Sequence, residues 1–232
     1  MSLYCFIMFL SGCLITVLLY TLCMSTKKAS FIVLDGGEGA GKSTQIQEIK
    51  KHFGDRIVIT REPGGSLYAE EIRGLILGSE HAGQANAKTH FALFWAARAD
   101  HLKNTIIPAL ESGKHVVCDR FDSSTFAYQI FGQEAHELKD FFFSMRDFYL
   151  GDYKPDLYVL LDVDPETGLG RKQNQTGEVL NHFDERQISF HTRMREGLIE
   201  FFEHVPHKIV DARPEFDVVT KDLISVLEAE LN

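Results

Sequence analysis

The chain has 232 residues, 44% hydrophobic and 25% charged, which suits one globular domain with a sizeable core and argues against disorder. Its formal net charge of −9 disfavours a broad grip on nucleic acid, which needs a basic surface to replace phosphate counterions, so no nucleic-acid partner is expected. Cys5, Cys13 and Cys23 lie near the start and only Cys118 in the body; with the ten histidines they form no zinc-type spacing, so neither a disulfide framework nor a structural zinc is expected.

Residues 1–26 carry no charged side chain, and the apolar run 3–24 is long enough for one membrane-spanning helix, with Lys27 and Lys28 directly after it. As a signal anchor it leaves the body on the positive, cytoplasmic side. A cleaved secretory signal fits less well, because there is no basic n-region and no clear small-residue cleavage site. The other reading is a mis-assigned start, with synthesis beginning at Met24, seven residues before a predicted strand. Membrane contact is expected only if the upstream segment belongs to the natural protein.

From residue 27 onward no linker or repeat divides the chain, and short apolar runs alternate with helical patterns, the signature of an α/β fold with a parallel sheet. The first predicted strand, 31–34, leads into Gly36-Gly37-Glu38-Gly39-Ala40-Gly41-Lys42-Ser43-Thr44 and a helix over 43–53. This fits G-x-x-x-x-G-K-[ST] in its required strand-to-helix setting. Backbone N–H groups freed by glycines wrap a phosphate, Lys42 reaches the β- and γ-phosphates, and the Ser43 hydroxyl ligates Mg²⁺. The motif therefore calls for ATP with Mg²⁺.

A strand over 57–60 follows, ending in Thr60-Arg61-Glu62-Pro63-Gly64-Gly65, whose glycine turn places Arg61 on the crevice edge before a helix over 67–77. In the next helix, 88–110, Phe94 and Arg98 stand four apart and share a face, an aromatic plate beside a guanidinium that suits a base as well as a core. The strand 115–118 carries Cys118 as an inert core thiol and ends in Asp119-Arg120. There a carboxylate can hold Mg²⁺ or its water, and a guanidinium can reach phosphate. A helix over 134–149, a strand over 157–161, and a helix over 165–172 capped by Asp164 come next. The polar stretch after it reads as a mobile flap over about 172–184, followed by a helix over 185–204, a strand over 208–210 and a helix over 215–231.

These motifs together resemble bacterial-type thymidylate kinase across about 31–231. The resemblance rests on the phosphate loop, on Thr60-Arg61-Glu62-Pro63-Gly64-Gly65, on Ala96-Ala97-Arg98-Ala99-Asp100-His101, and on Asp119-Arg120-Phe121-Asp122-Ser123-Ser124-Thr125-Phe126-Ala127-Tyr128-Gln129. Leu160-Leu161-Asp162-Val163-Asp164-Pro165 and Arg193-Met194-Arg195-Glu196-Gly197 continue it. It implies a three-layer P-loop fold with a five-stranded parallel sheet, transfer from ATP to dTMP with Mg²⁺, and a homodimer.

The resemblance further implies that Phe94 stacks on thymine, that Arg98 donates to its carbonyl oxygen, and that Arg61, beside Pro63, works with Arg120 to hold the acceptor phosphate. Glu38 falls near the sugar 3′-hydroxyl, and Thr125, Tyr128 and Gln129 line base and sugar, Tyr128 crowding a 2′-hydroxyl. Some relatives carry an arginine inside the phosphate loop, where this chain has Gly39; the others supply arginines from the flap. This flap offers only Arg171 and Lys172, and has Asn181-His182-Phe183-Asp184 where Asp-Arg-x-Glu is common. One of the two supplies the missing charge on this reading, unless Arg171 stacks on adenine and leaves Lys172 alone. Rival readings are a kinase for another nucleoside monophosphate such as dUMP, and a membrane-tethered nucleotide switch that transfers nothing.

Overall fold

The computed structural model describes residues 29–173, 181–184 and 186–231, so the apolar segment 1–26 and the centre of the expected flap lie outside the described residues. Among the described residues no helix is long and apolar enough to cross a membrane. The apolar runs form five strands, β1 (Phe31–Gly36), β2 (Ile57–Arg61), β3 (His115–Asp119), β4 (Leu157–Asp162) and β5 (His207–Asp211). They pair in parallel in one sheet of order β2-β3-β1-β4-β5.

Parallel neighbours cannot be joined by hairpins, so the chain crosses between them through helices that cover both faces. These are α1 (Lys42–Phe53), α2 (Leu67–Arg73), α3 (Ala87–His101), α4 (Ile107–Glu111), α5 (Asp122–Thr125), α6 (Lys139–Leu150), α7 (Pro165–Gln173), α8 (Ile188–Phe202) and α9 (Phe216–Leu231). On one face Ile49 and Phe53 of α1 and Leu223 and Leu227 of α9 pack on Ile32 and Leu34. On the other, Ile72, Trp95, Phe142 and Phe201 pack on Phe31 and Val33. Strand β1 therefore buries both sets of side chains, which is why it reads as a continuous apolar run. Cys118 is fully buried there, and burial, with Glu62 and Asp119 nearby, pushes its thiol pKa well up.

Three segments depart from the sequence reading. The expected helix 88–110 is interrupted by a wider turn at Leu102–Ile106, just before Pro108, whose ring cannot donate the next helical hydrogen bond. The expected helix 67–77 ends as α2 and continues as a wide turn at Gly74–Gly78. The third is a helical stretch that the sequence reading left unassigned, α5 and the turn Phe126–Gly132. Residues 121–130 are buried all round, so they show no polar face from which a helical period can be read. Asp122 anchors this stretch, accepting from Arg146 Nε at 2.7 Å and from the Tyr158 hydroxyl at 2.6 Å. As expected, Asp164 Oδ1 caps α7 by accepting from Thr167 N at 2.9 Å.

Candidate active site

Strand β1 delivers its last residues, Asp35 and Gly36, to the edge of the sheet. Asp35 is fully buried and accepts from the hydroxyls of Ser123 at 2.6 Å and Ser124 at 2.9 Å, tying the base of the loop to α5. The chain then turns into α1. Lys42 folds back over the turn, donating to the carbonyls of Gly36 at 2.8 Å and Gly37 at 2.9 Å. Burial first, and the Arg120 guanidinium second, hold its ammonium below the usual lysine range.

Gly39 stands at a φ of +68° with its Cα against the backbone of Gly168 in α7. A Cβ on Gly39 would run into the Gly168 carbonyl, and one on Gly168 into the Glu38 carbonyl. No side chain fits at this point of the loop, which accounts physically for the absence of an arginine there.

A cavity of about 290 Å³ opens in front of the loop. Glu38, Gly39, Ala40, Gly41, Lys42, Ser43 and Thr44 form one wall, and Arg61, Pro63, Phe94, Asp119, Arg120 and Tyr128 face it; Lys172 also borders it. Of the residues expected at the site, Gly36, Gly37, Arg98, Thr125, Gln129 and Arg171 do not line this cavity.

Arg120 sits at the strand end in a left-handed conformation, with φ of 64°, uncommon for a residue other than glycine. Its Nη2 meets Glu38 Oε1 at 2.8 Å, its Nη1 meets the Gly36 carbonyl at 3.2 Å, and the guanidinium lies 5.3 Å from the Tyr128 ring centroid. Burial works against this charge, yet Tyr128, Glu38, Asp35 and Asp119 outweigh it and raise the pKa. Glu38 is the mirror case: burial favours its neutral form, and Arg120, Lys42 and Lys172 hold the carboxyl well below the usual carboxylate range.

Arg61 is half exposed and pairs with Glu70 at 2.9 Å. A third guanidinium joins it that sequence reasoning missed. Arg73, at the end of α2, borders the cavity and donates to the Pro63 carbonyl at 2.7 Å. Burial first, then Arg61 beside it, lower its pKa.

Arg98 lies just behind Phe94 and is fully buried. Its Nε donates to Glu62 Oε2 at 3.0 Å and its Nη2 to Thr125 Oγ1 at 2.9 Å, while its guanidinium lies 4.5 Å from the Trp95 ring centroid and 5.0 Å from that of Phe121. Arg98 Nη1 remains without a partner, and so does Gln129 Oε1. A buried donor and a buried acceptor left open are costly unless something else completes them.

Among the described residues no cluster of three His, Cys, Asp or Glu side chains suits a metal ion. Mg²⁺ in phosphoryl transfer asks for less, one or two protein oxygens with phosphate and water supplying the rest. Asp119 Oδ1 is buried without a hydrogen-bond partner and the Ser43 side chain is exposed, both bordering the cavity, so these two residues fit such an ion.

The two basic residues at the end of α7 part company. Arg171 donates to the carbonyls of Ala212 at 2.7 Å and Arg213 at 2.8 Å, beyond the end of β5. Lys172 turns the other way and reaches Glu38 and Asp184. Residues 181–184, the end of the expected flap, form a docked turn: Phe183 is buried, packs edge-on to Tyr128 at 5.5 Å, and borders the cavity with Asn181 and Asp184. His182 stacks on His90 with ring centroids 5.3 Å apart.

Comparison with known proteins gives a consistent answer. The sequence model of the family described as Thymidylate kinase matches residues 34–223. A thymidylate kinase from Halalkalibacterium halodurans is 36% identical over 210 residues, covering 88% of this chain and 99% of the relative. One from Chlamydia muridarum is 41% identical over 189 residues, covering 78% and 90%. The crystal structure of thymidylate kinase from Ehrlichia chaffeensis superposes with a TM-score of 0.67 at 26% identity, over 87% of this chain and 99% of that one. A phosphate loop facing clustered guanidinium groups, together with matches of this length and identity, places the chain in the thymidylate kinase family.

Proposed function

We propose that the chain, as one P-loop kinase domain over residues 27–232, transfers the γ-phosphoryl group of ATP to dTMP, giving ADP and dTDP. The observation that carries this reading is the pairing, across one cavity, of the loop bearing Lys42 with Arg61, Arg73, Arg120 and Phe94. A switch that only binds nucleotide has no use for that second wall, so the tethered-switch alternative is not favoured.

Phosphoryl transfer spreads charge over equatorial oxygens, so catalysis is positioning plus cationic stabilisation. Lys42 and the loop N–H groups hold the donor, and Arg61, Arg73 and Arg120 hold the acceptor phosphate in line with it. Mg²⁺, held through Ser43 and Asp119, would neutralise charge on the donor phosphates. Phe94 stacks on the base. The open Arg98 Nη1 and Gln129 Oε1 offer one donor and one acceptor to a pyrimidine edge that carries both a carbonyl and an N–H. Glu38, Thr125 and Tyr128 surround the sugar. Of the two flap cations Lys172 serves the transferring group, while Arg171 belongs to the adenine side, a division supported by their opposite directions.

A second copy of the chain packs on α3 and α6, where Ala92 and Ala96 of the one and Phe141 and Phe148 of the other are exposed. The enzyme works in the cytoplasm. An N-terminal peptide from within residues 1–23, found by mass spectrometry of the natively expressed protein, would remove the reading of a start at Met24. Sedimentation of Phe148→Asp against wild type tests the dimer.

The deciding experiment is a coupled ADP-release assay with ATP, Mg²⁺ and a panel of dTMP, dUMP and other monophosphates. Turnover is expected with dTMP, and Lys42→Ala is expected to lose on the order of 100-fold or more while its melting curve persists. ATP cleavage with no dependence on any monophosphate would refute the kinase reading.

A further inference from the structure

Lys172 is held between two carboxylates. Its Nζ lies 2.7 Å from Glu38 Oε2 and 2.7 Å from Asp184 Oδ1, with side-chain exposures of 13% for Lys172 and Glu38 and 3% for Asp184. Asp184 is itself fixed. Its Oδ2 accepts from Asn181 N at 2.9 Å, and Asn181 Oδ1 accepts from Phe183 N at 2.8 Å. The other oxygen of Glu38 accepts from Arg120 Nη2 at 2.8 Å and from the Tyr128 hydroxyl at 2.7 Å. Burial would depress the Lys172 ammonium, but Glu38 and Asp184 outweigh it and raise its pKa.

A cation neutralised at this distance by two partly buried carboxylates does less for charge developing elsewhere than an unpaired one. We infer that Asp184 is a positioning residue which, with Glu38, retains Lys172 until the acceptor nucleotide binds, and so suppresses hydrolysis of ATP when no acceptor is present. The inference rests on the reading of Lys172 as the cation for the transferring group. The reaction suppressed is attack of a water oxygen on the γ-phosphorus. The bond from that phosphorus to the β–γ bridging oxygen breaks with its electron pair left on ADP, and the water proton passes to phosphate or solvent. ATP alone brings its γ-phosphate to compete with Glu38 and Asp184 for Lys172. The acceptor phosphate adds a second anion on the same side of the cavity, and the balance shifts toward release.

The test measures phosphate release from Mg-ATP without acceptor, for the full chain as wild type, Asp184→Asn, Lys172→Ala and the double variant. Asp184→Asn is expected to raise the acceptor-free rate at least fivefold, Asp184→Glu to leave it within about twofold of wild type, and the double variant to return it to the Lys172→Ala level. A rate for Asp184→Asn within twofold of wild type overturns the inference, as does an equal rise in the double variant. A measurement without mutation stands beside it. In unliganded wild type, Lys172 is expected to react with a methylating reagent at least tenfold more slowly than Lys51, whose side chain is 70% exposed; equal reactivity overturns the inference. Failure of the wild type to form dTDP from dTMP would remove the kinase reading and this inference with it. Normal dTDP formation with no effect of Asp184→Asn removes the inference alone.

Discussion

Replacing Glu62 with glutamine changes no volume and removes one charge from beneath the proposed base site. Glu62 is 5% exposed and serves two buried partners: Oε2 meets Arg98 at 2.8 Å through Nη2, and Oε1 meets His101 Nδ1 at 3.0 Å. In Glu62→Gln the Arg98 guanidinium stays buried with no countercharge and with an amide N–H facing one of its neighbours. Removing one member of a buried pair costs about 3–5 kcal/mol, and for a chain of this size each kcal/mol is worth about 2–4 °C, so the melting temperature should fall by roughly 6–20 °C. Because Arg98 is then free to shift, KM for dTMP should rise at least tenfold while KM for ATP stays within about threefold. Thermal melts with steady-state kinetics read both. Adding Arg98→Met should recover part of the lost stability, since no unpaired charge then stays buried. A melting point within about 3 °C of wild type in Glu62→Gln would show that the pair does not act as described.

Gly168→Ala should cost about 1–3 kcal/mol and at least tenfold in kcat, because its Cβ would displace the Glu38 carbonyl and with it the phosphate loop; wild-type kinetics in this variant would refute the contact. His90 and His191 are both buried, and burial first of all holds their pKa values below 6.5. The folded form thus keeps them neutral where the unfolded chain takes up protons, so their contribution is present above about pH 6.5 and lost as pH falls below it. Melts at constant ionic strength from pH 7.5 to 5 should show this decline in wild type and a shallower one in His191→Phe; equal slopes would count against it. Asp119→Asn should raise the Mg²⁺ concentration needed for half-maximal rate on the order of 10- to 100-fold, read by metal titration of the coupled assay.

What the sequence disclosed and what it hid follow from locality. The strands and the phosphate loop were legible because their signals are contiguous: an apolar run such as Val116-Val117-Cys118, and a glycine pattern before Lys42. Arg61, Asp119 and Arg120 were legible because strand ends of a parallel sheet converge on one crevice edge. The stretch 121–130 was not, since a helix buried on every side has no polar stripe. Arg73 was missed because its position depends on the turn at Gly64-Gly65 folding α2 back, a matter of tertiary geometry. The helical period puts Arg98 one turn from Phe94 in α3, but its burial against Glu62 and Thr125 joins residues 36 and 27 positions apart, which no helical period reveals. The turn 181–184, expected as the end of a mobile flap, is docked because Phe183 packs edge-on against Tyr128.

The crowding of Lys42, Arg61, Arg73 and Arg120 into one crevice has a bearing on the lifetime of the molecule. Lys42 and Arg73 are each held below their ordinary pKa by burial and then by a neighbouring guanidinium, so both gain from an anion brought beside them. Any polyanion that settles there relieves the repulsion and stabilises the native state in proportion to the logarithm of its concentration. Saturating nucleotide should therefore slow proteolysis of the purified chain, because it binds the native state and not the unfolded one.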